Sequence, residues 1–186
     1  ELHALDGLLE RGLPKVLACA AVNNSLGAIL PVPRLVEWAH ANGAIVVVDA
    51  AQAAPHTPVD VQALGADFVG FTAHKLCGPT GIGALWGRAE LLDAMSPFEL
   101  GGHMIRKVTV EKTSWNEIPH KFEAGTAAIA EAVGFAAAID YVTDAGLPAI
   151  ERHEHELLTH ALGRLGEVPG VRLYGPHADR RVGIVS

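Results

Sequence analysis

The sequence has little cysteine, few aromatic residues and no cluster of basic residues. Of its 186 residues, 2 are cysteines, Cys19 and Cys77, and 5% are aromatic. Two cysteines cannot build a disulfide framework, so we expect a reducing, cytoplasmic setting. The formal net charge is -7 and Lys and Arg form no run, which argues against a nucleic-acid partner.

Long apolar runs are also absent. No stretch reaches the roughly 18 residues that span a membrane, because Glu131, Gly134 and Asp140 interrupt the longest candidate, 126–142. Hydrophobic residues make up 49% of the chain, which excludes disorder. The first residue is Glu, and the last five resemble a strand cut short. We therefore expect a piece of a longer globular protein with no membrane partner.

The first half alternates short apolar runs with helical patterns. The runs at 15–22, 44–49, 67–72 and 82–86 predict strands, and the segments 33–42, 59–64 and 88–95 predict helices, the second being a short helix at most. This order predicts an α/β fold with a mostly parallel sheet flanked by helices and covered on both faces. Because strand carboxyl ends share one edge, we expect Asn24, Asp49 and the residues after Thr72 to lie there.

The second half has a different organisation. A hairpin is predicted from 104–110 and 113–115, helices from 126–143 and 148–165, and strands from 171–174 and 182–185. A boundary near Gly146 divides a large domain, 1–146, whose N-terminal part is incomplete, from the start of a small, truncated C-terminal α/β domain, 147–186.

Lys75 follows a predicted strand, where lysine is unusual. A desolvated lysine is a nucleophile that forms Schiff bases with carbonyls. The alternative is a side chain that extends from a strand end into solvent. The next segment, 78–83, has three glycines in six residues, which permit close approach of the backbone to a ligand. Its spacing is not that of a P-loop.

Asp49 ends the apolar run VVVD, and Gln52 follows three residues later. A carboxylate at the end of a buried strand needs a partner. A cation is one possibility, and the protonated ring nitrogen of pyridoxal 5'-phosphate (PLP) is another, since an acidic partner keeps that ring an electron sink. The alternative is a carboxylate that caps the next turn.

These motifs occur together in residues 46–87, VVVDAAQAAPHTPVDVQALGADFVGFTAHKLCGPTGIGALWG. Further matching stretches are VNNSLGAI, LGGHMI, KFEAGT and VRLYGP. The sequence resembles the class V aminotransferase family, and within it a Suf-type (group II) cysteine desulfurase. The resemblance covers nearly the whole chain but only the central part of a family member.

The resemblance implies PLP as the cofactor. Lys75 is then the residue that bonds PLP and moves the proton at the substrate Cα. Asp49 would hold the pyridinium nitrogen and Gln52 the ring 3'-oxygen. Thr72 and His74 would bind the phosphate, which suits a dianion because a hydroxyl and an imidazole donate to it.

The resemblance also implies a substrate and partners. Asn24 would contact the carboxylate of L-cysteine, and Gly125 and Thr126 would reach the cofactor phosphate of the partner subunit in a homodimer. The products would be L-alanine and a persulfide, passed to a sulfur-acceptor protein for iron–sulfur cluster assembly. The persulfide cysteine and the substrate-binding arginine of the family are expected beyond this sequence.

Three alternatives stay open at this point: a selenocysteine lyase, another class V aminotransferase, and a catalytically silent fragment. Cys77 could in principle be a nucleophile near Lys75, but a small core cysteine is the favoured interpretation. Cys19, within the first predicted strand, is expected to pack in the core.

The ten histidines do not indicate a metal site. His153 and His155 are two residues apart on a predicted helix, so they do not share a face. His56 is expected in a loop. The charged segment 151–156 is expected to be a solvated helix face.

Overall fold

The computed structural model describes Leu5 and residues 15–186. A four-stranded sheet lies at its centre, with strands in sequence order. They are β1 (Lys15–Ala20), β2 (Ala44–Asp49), β3 (Phe68–Thr72) and β4 (Gly83–Gly87). The first three strands are parallel, and β4 pairs with β3 in the antiparallel direction. The prediction of a mostly parallel α/β sheet is confirmed.

The register aligns the carboxyl ends of the parallel strands. Ala20 is opposite Asp49, and Asp49 is opposite Gly70. Burial in β2 alternates, with Val46 and Val48 fully buried and Ile45 38% exposed. Within the described residues one face of β2 is therefore covered more fully than the other, and coverage of both faces stays a prediction. An apolar β-branched run does not by itself report how many faces are covered, because it suits either case.

Three helices flank the sheet in the first half: α1 (Val32–Ala41), α2 (Val61–Leu64) and α3 (Ala89–Ala94). Helix α1 buries Val32, Val36 and Ala39, whose spacing of three to four residues places them on one helical face. The Asp60 side chain accepts hydrogen bonds from the first N–H groups of α2, as an N-cap does. All three helices lie within one residue of the predicted ranges or inside them.

The second half contains a hairpin and two long helices. Strands β5 (Ile105–Val108) and β6 (Thr113–Trp115) are antiparallel, as predicted. The helices α4 (Ile129–Ala145) and α5 (Leu147–Gly166) are separated by one residue, Gly146. In α4, Phe135 and Val142 form a second apolar cluster with Ala73 and Leu76. This cluster anchors the turn that carries Lys75 to the second half of the chain.

The C-terminal segments differ from the prediction. Neither 171–174 nor 182–185 forms a regular strand. The backbone contacts of these segments include hydrogen bonds from Val182 N–H to Gly27 O and from Tyr174 N–H to Ser186 O, and an isolated bridge joins the neighbouring Arg181 to Ala28. A strand needs a ladder of backbone partners, and residues 15–186 provide none at this position. The domain division at residue 146 stays a prediction.

None of the helices in the described residues is long and apolar enough on its own to cross a membrane. Helices α4 and α5 taken together are long and apolar enough, but the chain bends by 71° between them. Within residues 15–186, no group of three or more His, Cys, Asp or Glu side chains could hold a metal ion.

Candidate active site

Lys75 lies in a 3₁₀ turn, Ala73–Lys75, that directly follows β3. Its Nζ donates hydrogen bonds to Asn24 Oδ1 at 2.7 Å and to Gln52 Oε1 at 2.8 Å. Three segments meet here: the loop after β1, the turn after β2 and the turn after β3. The predicted placement at one edge of the sheet is confirmed for Asn24 and Lys75, and the structure adds Gln52 to them.

The loop that carries Asn24 is held by its neighbour. The side-chain oxygen of Asn23 accepts from Ser25 N–H at 3.0 Å and from Leu26 N–H at 2.8 Å. This Asx turn organises the backbone locally. Gly27 completes the loop at φ +67°, and a Cβ there would lie 2.9 Å from Ile184 Cβ. Asn24 is therefore presented to Lys75 by a loop with a defined conformation.

Asp49 is exposed at the end of β2, and its Oδ1 accepts from Ala51 N–H at 2.8 Å. The carboxylate thus caps the turn that carries Gln52, which was the alternative interpretation. Because Asp49 is exposed, the burial cost expected from the sequence does not arise. Its Oδ2 makes no hydrogen bond within the described part of the chain. One carboxylate oxygen is therefore available to a ligand.

Thr72 and His74 form a pair beside Lys75. The Thr72 Oγ1 and His74 Nδ1 atoms are 2.8 Å apart. Thr72 is the last residue of β3 and pairs with Gly83 of β4, which fixes its backbone. A hydroxyl and an imidazole side by side are suitable donors for a phosphate dianion.

The glycines of segment 78–83 have a different role from the one expected. A Cβ at Gly78 would lie 2.9 Å from Ala73 O, and a Cβ at Gly83 would lie 2.6 Å from Phe71 O. These two glycines serve close approach of the chain to itself rather than to a ligand. Gly81 has φ +83° and open space around its Cβ position, so only this glycine fits the original interpretation.

Gly125 and Thr126 lie in a different part of the structure. Gly125 N–H donates to Gly102 O at 2.9 Å, so this segment is attached to the loop before β5. Thr126 is exposed three residues before α4. Within the described residues, neither Gly125 nor Thr126 makes a hydrogen bond to Asn24, Gln52 or Lys75. Their expected role towards a partner subunit stays a prediction.

The two cysteines have different environments. Cys19 is half-buried against the core, as predicted, and burial raises the pKa of its thiol. Cys77 is exposed, with φ +59°. The prediction of a small core cysteine is wrong for Cys77, because the turn after Lys75 directs it to the surface. Exposure alone does not give it a catalytic role.

Sequence reasoning missed two residues behind Gln52. Gln52 Nε2 is 3.0 Å from His56 Nε2, and His56 Nδ1 is 2.8 Å from Glu154 Oε2. The expectation of a solvated face is wrong for Glu154, whose side chain is 27% exposed and packed against His56. Gln52 and His56 are four residues apart in the sequence, and this spacing could have predicted their contact.

Comparison with known proteins identifies the family. The profile described as "Aminotransferase class-V" matches residues 2–186. The chain belongs to the class V aminotransferase family. It is 48% identical to a cysteine desulfurase of Haloferax volcanii over 172 aligned residues. The alignment covers 92% of this chain and 40% of the relative. It is 54% identical over 173 residues to a probable cysteine desulfurase of Streptomyces coelicolor, covering 92% and 41% of the two chains.

Solved structures of this family share the fold. The cysteine desulfurase CsdA from Escherichia coli superimposes with a TM-score of 0.88 at 38% identity, covering 94% of this chain and 44% of that one. The chain thus spans about 40% of the length of the curated relatives that it matches.

Proposed function

We propose that this chain is the cofactor-binding part of a PLP-dependent cysteine desulfurase, which converts L-cysteine to L-alanine and retains the sulfur as an enzyme persulfide. The observation that carries the proposal is the Lys75 amine held between two amide oxygens at the carboxyl ends of the strands. The relatives named as cysteine desulfurases support this particular reaction.

The side chains at this edge fit PLP by their chemistry. The amine of Lys75 suits the aldehyde, and the free Oδ2 of Asp49 suits a protonated ring nitrogen. Gln52 offers an amide to the ring 3'-oxygen, and Thr72 and His74 suit the phosphate. PLP, when bound, supplies an electron sink for the charge that develops at the substrate Cα.

Lys75 and Asn24 have the remaining roles in this proposal. Lys75 carries the cofactor and moves the proton at the substrate Cα, because its half-buried amine is a basic group held between Asn24 and Gln52. Asn24 accepts from Lys75 through Oδ1, which leaves its Nδ2 hydrogens to donate to a substrate carboxylate. The thiol that accepts sulfur is assigned, by the family resemblance, to residues outside this sequence.

The wider role is part of the same proposal: a cytoplasmic homodimer that delivers sulfur to an acceptor protein for iron–sulfur cluster assembly. Exposed apolar side chains support the dimer, since patches of this kind mark protein contacts. They include Phe98, Leu100, Ile129 and Val133, each at least 65% exposed. Light scattering of the complete protein tests this point, and a monomer would refute it.

Borohydride reduction followed by mass spectrometry tests the assignment of Lys75. The complete protein, loaded with PLP, should carry a phosphopyridoxyl group on the peptide that contains Lys75. Lys75→Ala should lose that adduct and the formation of alanine from cysteine. The matched control is Lys112→Ala in the exposed hairpin turn, which should keep both.

The outcomes separate the alternatives. An adduct that persists in Lys75→Ala would show that another amine binds the cofactor. An adduct on Lys75 without alanine formation from cysteine would exclude desulfurase activity, and turnover of selenocysteine in its place would indicate a lyase. A complete protein that takes up no PLP would refute the proposed function, although the chain would still have the fold of the family.

A further inference from the structure

A chain of hydrogen bonds runs from the Lys75 amine to helix α5. It passes from Lys75 Nζ to Gln52 Oε1 at 2.8 Å, from Gln52 Nε2 to His56 Nε2 at 3.0 Å, and from His56 Nδ1 to Glu154 at 2.8–2.9 Å. The His56 side chain is 15% exposed. The last contact joins residues 98 positions apart in the sequence.

The chemistry of the two ends fixes every donor and acceptor between them. A lysine ammonium only donates, so Gln52 must present its oxygen to Lys75 and its NH₂ group to His56. His56 Nε2 must then accept, which requires a neutral ring with its proton on Nδ1. An ionised carboxylate only accepts, so Glu154 stabilises this tautomer by accepting from Nδ1–H.

We infer that His56 and Glu154 are positioning residues, which fix the amide of Gln52 with its oxygen towards Lys75. Neither touches the Lys75 amine, and both act through Gln52. The inference rests on the proposed function only where it concerns PLP, because the tautomer of His56 can be measured without cofactor.

Without Glu154, the Nδ1–H tautomer of His56 is selected from one end of the chain alone, by the Gln52 NH₂ group that Lys75 orients, and the Nε2–H tautomer can compete with it. The Nε2–H tautomer would then direct a donor at the Gln52 NH₂ group, and the amide would rotate to pair with it. The rotated amide would present NH₂ to the Lys75 ammonium, which also donates only. Lys75 would lose one of its two side-chain hydrogen bonds.

The ¹⁵N chemical shifts of His56 in the cofactor-free complete protein give the direct test. The signals are assigned by their loss in His56→Asn. Protonated Nδ1 and bare Nε2 are expected in the unchanged protein and in Glu154→Gln, whose amide oxygen still accepts. Glu154→Ala should give a mixture of tautomers. Glu156→Ala is the control, since this exposed residue lies two positions along the same helix and points elsewhere.

The tautomer itself is the deciding readout, because a merely structural role for Glu154 would not change which nitrogen of His56 carries the proton. An Nε2–H tautomer in the unchanged protein, or Glu154→Ala that leaves the tautomer as it was, would overturn the inference. If the unchanged protein takes up no PLP, the proposed function fails, and the ¹⁵N shifts still decide the inference.

Discussion

Replacing Asp67 should loosen β2, the strand that ends at the candidate site. Asp67 is 6% exposed, and its Oδ2 accepts from Val46 N–H at 2.7 Å. The same oxygen is 2.9 Å from His40 Nε2, and Oδ1 is 3.2 Å from Arg88 Nε. Asp67→Ala removes all three contacts and leaves the fully buried Val46 without an acceptor for its N–H group.

The cost can be worked from these contacts. A buried N–H group without a partner costs roughly 1–3 kcal/mol. His40 and Arg88 are 37% and 39% exposed, and a hydrogen bond or ion pair to a partner this exposed contributes about 0.2–1 kcal/mol. We therefore expect Asp67→Ala to destabilise this region by about 2–4 kcal/mol. Asp67→Asn, which keeps an oxygen for Val46, should cost only about 1 kcal/mol.

Hydrogen exchange of the Val46 amide measures this effect locally. Its protection should fall at least about thirtyfold in Asp67→Ala and about fivefold in Asp67→Asn. Asp140→Ala, an exposed carboxylate on α4, is the control and should leave Val46 unchanged. Equal losses in the Ala and Asn variants would refute the reasoning, because the N–H group of Val46 would then not be the dominant contribution.

Two further predictions concern close contacts and burial. Gly83→Ala should lower the Tm by several degrees, because its Cβ would lie 2.6 Å from Phe71 O. Gly163→Ala, in open space on α5, should not lower it, since alanine favours a helix; equal losses would contradict this. Iodoacetamide should modify Cys77 before Cys19 near pH 8, because the raised pKa of the Cys19 thiol leaves less thiolate. Peptide mass spectrometry measures the two labelling rates, and equal rates would contradict this prediction.

The sequence predicted the elements whose signals are local. The bounds of β2 are those predicted, because a run of β-branched residues ends at an acidic residue and a turn. The meeting of Asn24 and Lys75 was also predictable. The register of parallel strands brings their carboxyl ends to one edge, whatever the details of the loops.

Long-range features were not predictable in the same way. Glu154 stands among charged residues at helical spacing, a pattern typical of a solvated face, and its partner His56 is 98 residues away. Strand formation at 171–174 and 182–185 depends on a neighbouring ladder, which the residues' own β-propensity does not supply. Cys77 was misplaced because its surface position depends on a left-handed backbone conformation at a non-glycine residue.

Neither Asp49 nor Glu154 accepts a hydrogen bond from Lys75 in the described part of the chain, and this arrangement suits the reactive amine that we propose. Asp49 is directed to Ala51 N–H, and Glu154 is directed to His56. The two acceptors of Lys75 are neutral amide oxygens, from Asn24 and Gln52. An ion pair with a carboxylate would make stronger, charge-assisted hydrogen bonds that must break before the amine can attack a carbonyl. Amide oxygens hold the amine in position and release it at a lower cost in free energy, while Asp49 keeps one oxygen available for a cationic ring nitrogen.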